Sequence, residues 1–286
     1  MPLRRLLVFT AILTAAAALA PAAGAAIAGV EQGAAAAARL DCTVASTRDC
    51  VPGRTITRTN RKFFCDRPLR RWGRLPLKVV LNFTRGRRFG ENGAVDLTTG
   101  CAGDANPATI DLIVVVRGNG RTYGPGVDAF KVRQRAGYNR GIQVTGRVNC
   151  GPRYSAGMHQ DGVQLQGGRN ITFVDFRVGW YTRGLSTCQG AGGAFFYSGA
   201  QGYRPINVDV IRGRYIACNH SLFAAAGTGS VVGARFRSGR TDGTDRKCRE
   251  FHGSPPCDIR AAVSISHVTC QRWSARRDRW VASRPR

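Results

Sequence analysis

The chain has 286 residues, 43% of them hydrophobic, and its formal net charge is +26 at pH 7 because 43 lysines and arginines outnumber 17 aspartates and glutamates. The hydrophobic fraction is enough for a core and argues against a disordered chain. The positive charge favours a polyanionic partner, which could be an acidic polysaccharide, a wall polymer, an anionic membrane or nucleic acid, or else it marks a solvated basic surface. We expect no nucleic-acid partner, because no basic helix with interleaved aromatic residues is present.

The N-terminus is typical of a secretory signal peptide. Arginines at positions 4–5 precede an apolar run over residues 6–19, and the small residues 23–25 fit a cleavage site. The apolar run is shorter than the roughly 20 residues of a membrane-spanning helix. The sequence therefore predicts a signal peptide at 1–25, an Ala-rich lead-in at 26–40, and a secreted, extracellular protein without a membrane span.

Beyond the lead-in, short apolar or alternating runs are broken by Gly, Asn, Asp and Pro, which predicts strands and turns. Examples are residues 77–81, 110–116 and 141–144. The 36 glycines and the absence of long stretches with helical period disfavour a helical fold. We expect an N-terminal cap and first coils at 41–105, further coils at 106–272, and a loose basic tail at 273–286.

A repeat of about 30 residues runs through the second half of the chain. Each unit has a short strand, a glycine-containing turn and a second strand, and Val163, Phe195 and Phe223 are predicted to be equivalent positions. One coil cannot bury its own apolar side chains, but stacked coils can. The pattern therefore predicts an all-β, right-handed parallel β-helix, or solenoid; a two-sheet sandwich is the alternative, but it gives no reason for this period. The residues predicted to point inward are Val163, Leu165, Ile171, Phe173, Phe195, Val208 and Val210.

The stretch 159–173, which reads His-Gln-Asp-Gly-Val-Gln-Leu-Gln-Gly-Gly-Arg-Asn-Ile-Thr-Phe, resembles a coil of the pectate-lyase-like right-handed β-helix superfamily. Many coils of that superfamily read Asp-Gly-Ile-x-apolar, then a turn, then Asn-Ile-Thr-apolar. Residues 110–270 are compatible with the same fold but match more loosely. The resemblance implies the fold more than the chemistry, because the superfamily includes lyases, hydrolases, epimerases and non-catalytic adhesive proteins.

The chain has ten cysteines, all beyond the predicted signal peptide. An even count in an exported chain predicts disulfides, and the absence of a Cys-x-x-Cys pair disfavours a zinc site. Short loops favour two local pairs, Cys42 with Cys50 and Cys248 with Cys257, and the other pairings stay open. The cysteines are Cys42, Cys50, Cys65, Cys101, Cys150, Cys188, Cys218, Cys248, Cys257 and Cys270.

Two histidines and an aspartate are the candidate catalytic residues. His159 and Asp161 come just before one predicted strand, and His220 comes before another strand two coils on. In a solenoid these side chains, with Gln164 and Asn219, are predicted to lie on one face. A histidine beside a carboxylate can act as a general base. The alternative is that these side chains only bond turns and cap coils.

A lyase acting on a polyuronate needs a base, and it needs positive charge against the carboxylate of the substrate. Arg140 and Arg169 are the candidate residues for that charge, and Gln164 is a further candidate for substrate binding. Trp180 and Tyr181 are candidates for stacking on sugar rings. Ca²⁺ stays an open alternative source of charge. Because acidic residues are scarce, we predict no metal ligands.

A polygalacturonase is disfavoured. Residues 159–161 loosely resemble the Asn-Thr-Asp triplet of that family, but residues 188–193 lack its Asp-Asp pair, and 219–221 read Asn-His-Ser in place of Gly-His-Gly. We expect a secreted monomer that binds or processes an extracellular acidic polysaccharide, by lyase-type β-elimination if it is an enzyme. The alternative is a non-catalytic adhesive or structural surface protein.

Overall fold

The computed structural model describes residues 53–72, 76–83, 93–101, 110–117, 128–134, 136, 141–149, 161–179, 193–199, 202–217, 220–238, 255–277 and 279–286. By its internal contacts the chain divides into residues 1–39 and 40–286, and every described residue belongs to the second unit. The predicted signal peptide and Ala-rich lead-in lie outside the described residues.

One wall of the molecule is a seven-stranded sheet in which each strand pairs with the equivalent strand of the next coil. In order along the sheet, the strands are β2 (Phe63–Cys65), β4 (Val95–Leu97), β6 (Phe130–Gln134), β8 (Val163–Gly167), β11 (Gly193–Tyr197), β14 (His220–Ala224) and β17 (Cys257–Ile259). Side chains of a strand alternate between its two faces. Val163 and Leu165 therefore point into the core, and Gln164 points away from it.

The second sheet of the solenoid has thirteen strands, and it forks at its long strand β7. The unforked part contains β1 (Arg54–Thr59), β3 (Leu77–Asn82), β5 (Ile110–Arg117) and β7 (Ile142–Asn149). One branch, called here the β9 branch, contains β9 (Arg169–Val174), β12 (Ile206–Ile211), β15 (Thr228–Val232) and β18 (Ala262–Ser266). The other, the β10 branch, contains β10 (Arg177–Val178), β13 (Arg214–Ala217), β16 (Arg235–Ser238), β19 (Thr269–Ser274) and β20 (Arg279–Ala282). The sheet forks because the start of β7 pairs with β9 and its end pairs with β10.

Parallel pairing from coil to coil confirms the predicted all-β parallel β-helix. Among the described strands, only β19 and β20 pair in antiparallel fashion. The described residues contain no α-helix, and their helical turns are the short 3₁₀ segments Leu69–Trp72, Thr99–Cys101 and Ala275–Arg277. Within the same residues, no helix has the length and apolarity needed to cross a membrane.

The interior is filled by ladders of apolar side chains that run along the solenoid. All seven residues predicted to point inward are fully buried. Aromatic rings join these ladders: Phe173 meets Phe130 and Phe195 edge to face, with ring centroids 5.6 and 5.0 Å apart. Tyr215 stacks on Phe236 at 4.8 Å. Such pairs each add about 1 kcal/mol to the free energy of unfolding beyond their buried area.

One predicted equivalence is wrong by one residue. Phe195 pairs with Val163 on one side and with Leu222, not Phe223, on the other. Leu222 and Ala224 are fully buried, whereas Phe223 is half-buried on the outer face. Because side chains alternate along a strand, a shift of one residue would move both apolar side chains out of the core.

The corner between the two branches repeats the same turn in successive coils. Asp175, Arg212, Gly233 and His267 occupy equivalent corner positions, and all have left-handed backbone, with φ of 48°, 59°, 66° and 52°. Such angles are uncommon for residues other than glycine, so their recurrence marks a turn that the stacking imposes. Arg212 also donates two hydrogen bonds to the Asp175 carboxylate, at 3.0 and 2.7 Å, and so ties two coils together.

The C-terminal tail is not loose, and that expectation is wrong for the described residues. β20 pairs with β19, and the backbone of Arg286 bonds to Cys257 and Ile259 at the end of the seven-stranded sheet. The end of a solenoid exposes unpaired strand edges. The tail covers two of these edges and brings Trp280 onto the β10 branch.

Two disulfides lie within the described residues, Cys65–Cys101 and Cys257–Cys270, and all four of these cysteines are buried. The predicted local pair of Cys248 with Cys257 is therefore wrong. Stacking places Cys270 beside Cys257, and short spacing along the chain is a weaker guide than this juxtaposition. The remaining cysteines lie outside the described residues: Cys42, Cys50, Cys150, Cys188, Cys218 and Cys248.

Candidate functional site

The predicted catalytic residues that the structure describes are in register but not in contact. Continuing the pairing of β8, β11 and β14 places Asp161, Gly193 and His220 at equivalent positions of successive coils. Two coils separate Asp161 from His220, which is about 10 Å along the axis. The two residues therefore occupy equivalent positions of their coils, but they do not form a hydrogen-bonded pair.

Five of the predicted site positions lie outside the described residues. His159, Arg140, Trp180, Tyr181 and Asn219 all fall in segments that the structure does not describe. The roles proposed for these side chains stay predictions.

Asp161 is fully buried, and its carboxylate is bonded to neighbouring protein groups. Oδ1 accepts the backbone N–H of Gly193 at 2.7 Å, and Oδ2 lies 3.4 Å from Nε2 of Gln164. The backbone N–H of Asp161 in turn donates to the Asp128 carboxylate at 3.0 Å. Asp128 and Asp161 thus form a carboxylate ladder, in which each aspartate bonds the backbone of the next coil.

Asp128, the first carboxyl of this ladder, is buried beside a lysine. It is 3% exposed, and Nζ of Lys131 donates to its Oδ2 at 3.0 Å. Burial, and after it the negative charge of Asp161, raise the pKa of the Asp128 carboxyl from 3.8 to about 6, against the opposing effect of Lys131. Protonation of this carboxyl is therefore easier in the folded protein than in the unfolded chain.

We expect Asp128→Asn to change how the free energy of unfolding depends on pH. An acid whose pKa is raised on folding favours the folded state below its unfolded pKa, and this contribution is lost as pH rises through the folded pKa. The stability of wild type should therefore fall relative to the variant between about pH 4 and pH 6, by about 3 kcal/mol at most.

Urea unfolding at several pH values between 4 and 7 measures this difference. Asp66→Asn, which removes an exposed carboxyl, is the matched control. A stability difference between wild type and Asp128→Asn that does not change with pH would contradict the prediction.

His220 is half-buried at the start of β14, and one of its ring nitrogens is fixed. Nδ1 lies 3.0 Å from the carbonyl oxygen of Pro255. A carbonyl only accepts hydrogen bonds, so in the neutral ring Nδ1 carries the proton and Nε2 holds the lone pair. The ring packs against Phe223, with centroids 5.1 Å apart. His220 is oriented as a base could be, but no described carboxylate hydrogen-bonds to it.

The two predicted substrate-binding residues that the structure describes lie on different sheets. Gln164 is on the outer face of β8, next to Lys131 of β6, but only 7% of its surface is exposed. Arg169 begins β9 of the other sheet and pairs there with Ile206. The structure therefore does not unite Gln164 and Arg169 in one site.

Sequence reasoning missed a column of four arginines that starts at the end of β7 and continues along the first strands of the β10 branch. Strand register sets Arg177 opposite Arg147 on one side and Arg214 on the other, and Arg214 opposite Arg235. Neighbouring strands lie about 4.8 Å apart, so the column repeats at that spacing along the solenoid. Each arginine precedes a buried residue that points inward, and these are Val148, Val178, Tyr215 and Phe236.

This arginine column has no carboxylate partner among the described residues. The corner carboxylate of the adjacent turn, Asp175, is already held by Arg212. Nε of Arg147 is buried without a hydrogen-bond partner in the described part of the chain. Cations directly opposite each other across a sheet destabilise the folded state. A bound anion would remove that repulsion.

The column is also accessible, and a fifth arginine extends it. Arg214 and Arg235 are exposed, and Arg147 and Arg177 are half-buried. Arg237 follows two residues after Arg235 on the same face of β16. Partial burial lowers the pKa of Arg237, and the positive charges of Arg235 and Arg214 lower it further. This surface is the strongest candidate binding site in the described residues.

The described residues give no basis for a metal centre. They contain no group of three or more His, Cys, Asp or Glu side chains placed to hold an ion. A role for Ca²⁺ in binding the substrate therefore stays an open alternative, as it was from the sequence.

No family model, no curated protein and no solved structure matches this chain. The described residues contain two features that bear on function: a buried carboxylate ladder engaged in backbone bonds, and an open arginine column without a carboxylate partner among those residues.

Proposed function

We propose that the protein is a secreted parallel β-helix protein that binds an extracellular acidic polysaccharide along its arginine column. The single observation behind this proposal is the register of Arg147, Arg177, Arg214 and Arg235, which have no carboxylate partner among the described residues. Export, inferred from residues 1–25 and the cysteines, favours a polysaccharide over nucleic acid as the polyanion.

The geometry suits a linear polyanion. Guanidinium groups bind carboxylates in a bidentate manner, and a row of them about 4.8 Å apart offers one such contact per coil. A 1,4-linked uronic acid chain carries one carboxylate per sugar ring, so it can meet successive arginines without folding back. The general attraction of a chain with net charge +26 adds to this local effect.

The environments of Asp161 and His220 favour binding without catalysis. Asp161 is buried and bonded to Gly193, so it is poorly suited to act as a base on a polymer. His220 keeps a lone pair on Nε2, but no described carboxylate supports it. Membership of the pectate-lyase-like superfamily, proposed from residues 159–173, is compatible with this reading because that superfamily includes non-catalytic adhesive proteins.

The test is a binding panel with the purified mature protein. Polygalacturonate, alginate, a neutral glucan and double-stranded DNA are compared at several salt concentrations, with and without Ca²⁺. We expect binding to the two polyuronates that weakens as salt rises, and no binding to the glucan. Absence of polyuronate binding at low salt would refute the proposal, and stronger binding to DNA would redirect it to nucleic acid.

The same samples test for a lyase. Ultraviolet absorbance reports the unsaturated uronate ends that β-elimination produces. A flat trace with binding intact supports a non-catalytic protein, whereas a rise in absorbance that His220→Ala abolishes would show a lyase that uses His220.

A further inference from the structure

The outer face of the β10 branch ends in a pair of tryptophans next to the arginines. Trp273 of β19 and Trp280 of β20 lie directly opposite each other, with ring centroids 5.3 Å apart. Both side chains are half-buried, so part of each ring is accessible. Trp273 and Gln271 share one face of β19, because they are two residues apart.

Arg237 connects this pair to the arginine column. Its guanidinium carbon lies 5.1 Å from the centroid of the Trp280 ring, and its Nε donates to Oε1 of Gln271 at 2.9 Å. Arg237 and Arg235 lie on the same face of β16. The tryptophan pair, Arg237 and Arg235 therefore form one continuous surface.

This surface combines the two chemical features of a uronic acid. A uronic acid has an apolar ring face formed by C–H groups, and a carboxylate on the same ring. An accessible indole offers an apolar surface on which a ring can pack. The neighbouring guanidinium groups offer bidentate hydrogen bonds to the carboxylate. A polyanion without rings would use only the second feature.

We infer that Trp280, together with Arg237, forms a subsite for one uronic acid ring at the C-terminal end of the arginine column. This inference rests on the proposed function and adds the recognition of a sugar ring to the recognition of charge. It also gives β20 a second role, because the strand that covers the end of the solenoid presents a binding side chain.

Two polymers and three variants test the inference. Affinities of wild type, Trp280→Ala, Trp280→Leu and Trp280→Phe are measured for polygalacturonate and for linear inorganic polyphosphate, which has no sugar rings. We expect Trp280→Ala and Trp280→Leu to lose about tenfold in affinity for polygalacturonate. Binding to polyphosphate should stay within about twofold, and Trp280→Phe should bind both polymers like wild type.

The controls separate the possible failures. Leucine keeps an apolar side chain against Trp273, so the comparison of Leu with Phe still decides if the Ala variant fails to fold. Equal loss for both polymers would show that Trp280 only holds Arg237 and β20 in place, which overturns the inference. Unchanged polygalacturonate binding in Trp280→Leu, or a Phe variant as weak as Leu, also overturns it. Failure of wild type to bind polygalacturonate at all would instead refute the proposed function.

Discussion

Replacing Arg214 and Arg235 together by glutamine is expected to weaken polygalacturonate binding at low salt by about tenfold or more. These are the two exposed members of the arginine column, and their removal interrupts it in its middle and at its end. The dependence of log affinity on log salt should also become shallower, by roughly one for each lost charge contact. Isothermal titration over a series of salt concentrations measures both effects.

The matched control is the double variant Arg61→Gln/Arg204→Gln. Both residues are exposed, and neither lies on the β10 branch. The control therefore changes the net charge by the same amount without touching the column. If general charge alone drives binding, the two double variants will lose equal affinity, and the arginine column is then not the site. Glutamine at Arg214 and Arg235 should not lower stability, because it relieves repulsion between opposite cations.

Asp161→Ala is expected to lower the free energy of unfolding by about 2 kcal/mol, whereas Asp161→Asn should lower it by less than about 1 kcal/mol. Alanine leaves the buried N–H of Gly193 without its acceptor, which costs roughly the desolvation of that group. Asparagine keeps an oxygen in the place of Oδ1. Urea unfolding of the two variants and wild type measures the difference.

The pair of Asp161 variants also decides between structure and catalysis. A structural aspartate predicts that Asp161→Asn keeps wild-type polyuronate binding and any turnover that wild type has. A catalytic aspartate predicts the reverse, because an amide cannot accept a proton as a base. A stable Asp161→Asn protein that has lost a wild-type lyase activity would therefore restore Asp161 as a catalytic residue.

The candidate site shows where reasoning from sequence stops. The Asp-Gly-Val-Gln-Leu run at 161–165 correctly indicated a strand preceded by a polar residue, and the repeat related Asp161 to the coil of His220. It could not show that the Asp161 carboxylate accepts a hydrogen bond from the N–H of Gly193, because Gly193 belongs to the next coil. Arg177, Arg214 and Arg235 are separated by unequal stretches of chain, so no fixed spacing along the sequence reveals that they form a column.

The fold class and the inward side of most strands could be read from the sequence. Alternation of apolar and polar residues sets which side of a strand faces the core, and this property is local, so Val163, Phe173 and Val210 could be identified directly. The alignment of the coils became visible in three dimensions alone: the pairing of Phe195 with Leu222, the bond between Cys257 and Cys270, and the stacking of the arginines. Alignment between coils depends on how each turn closes and packs against the next turn. The residues of a single strand do not specify this packing, because it is a contact between distant parts of the chain.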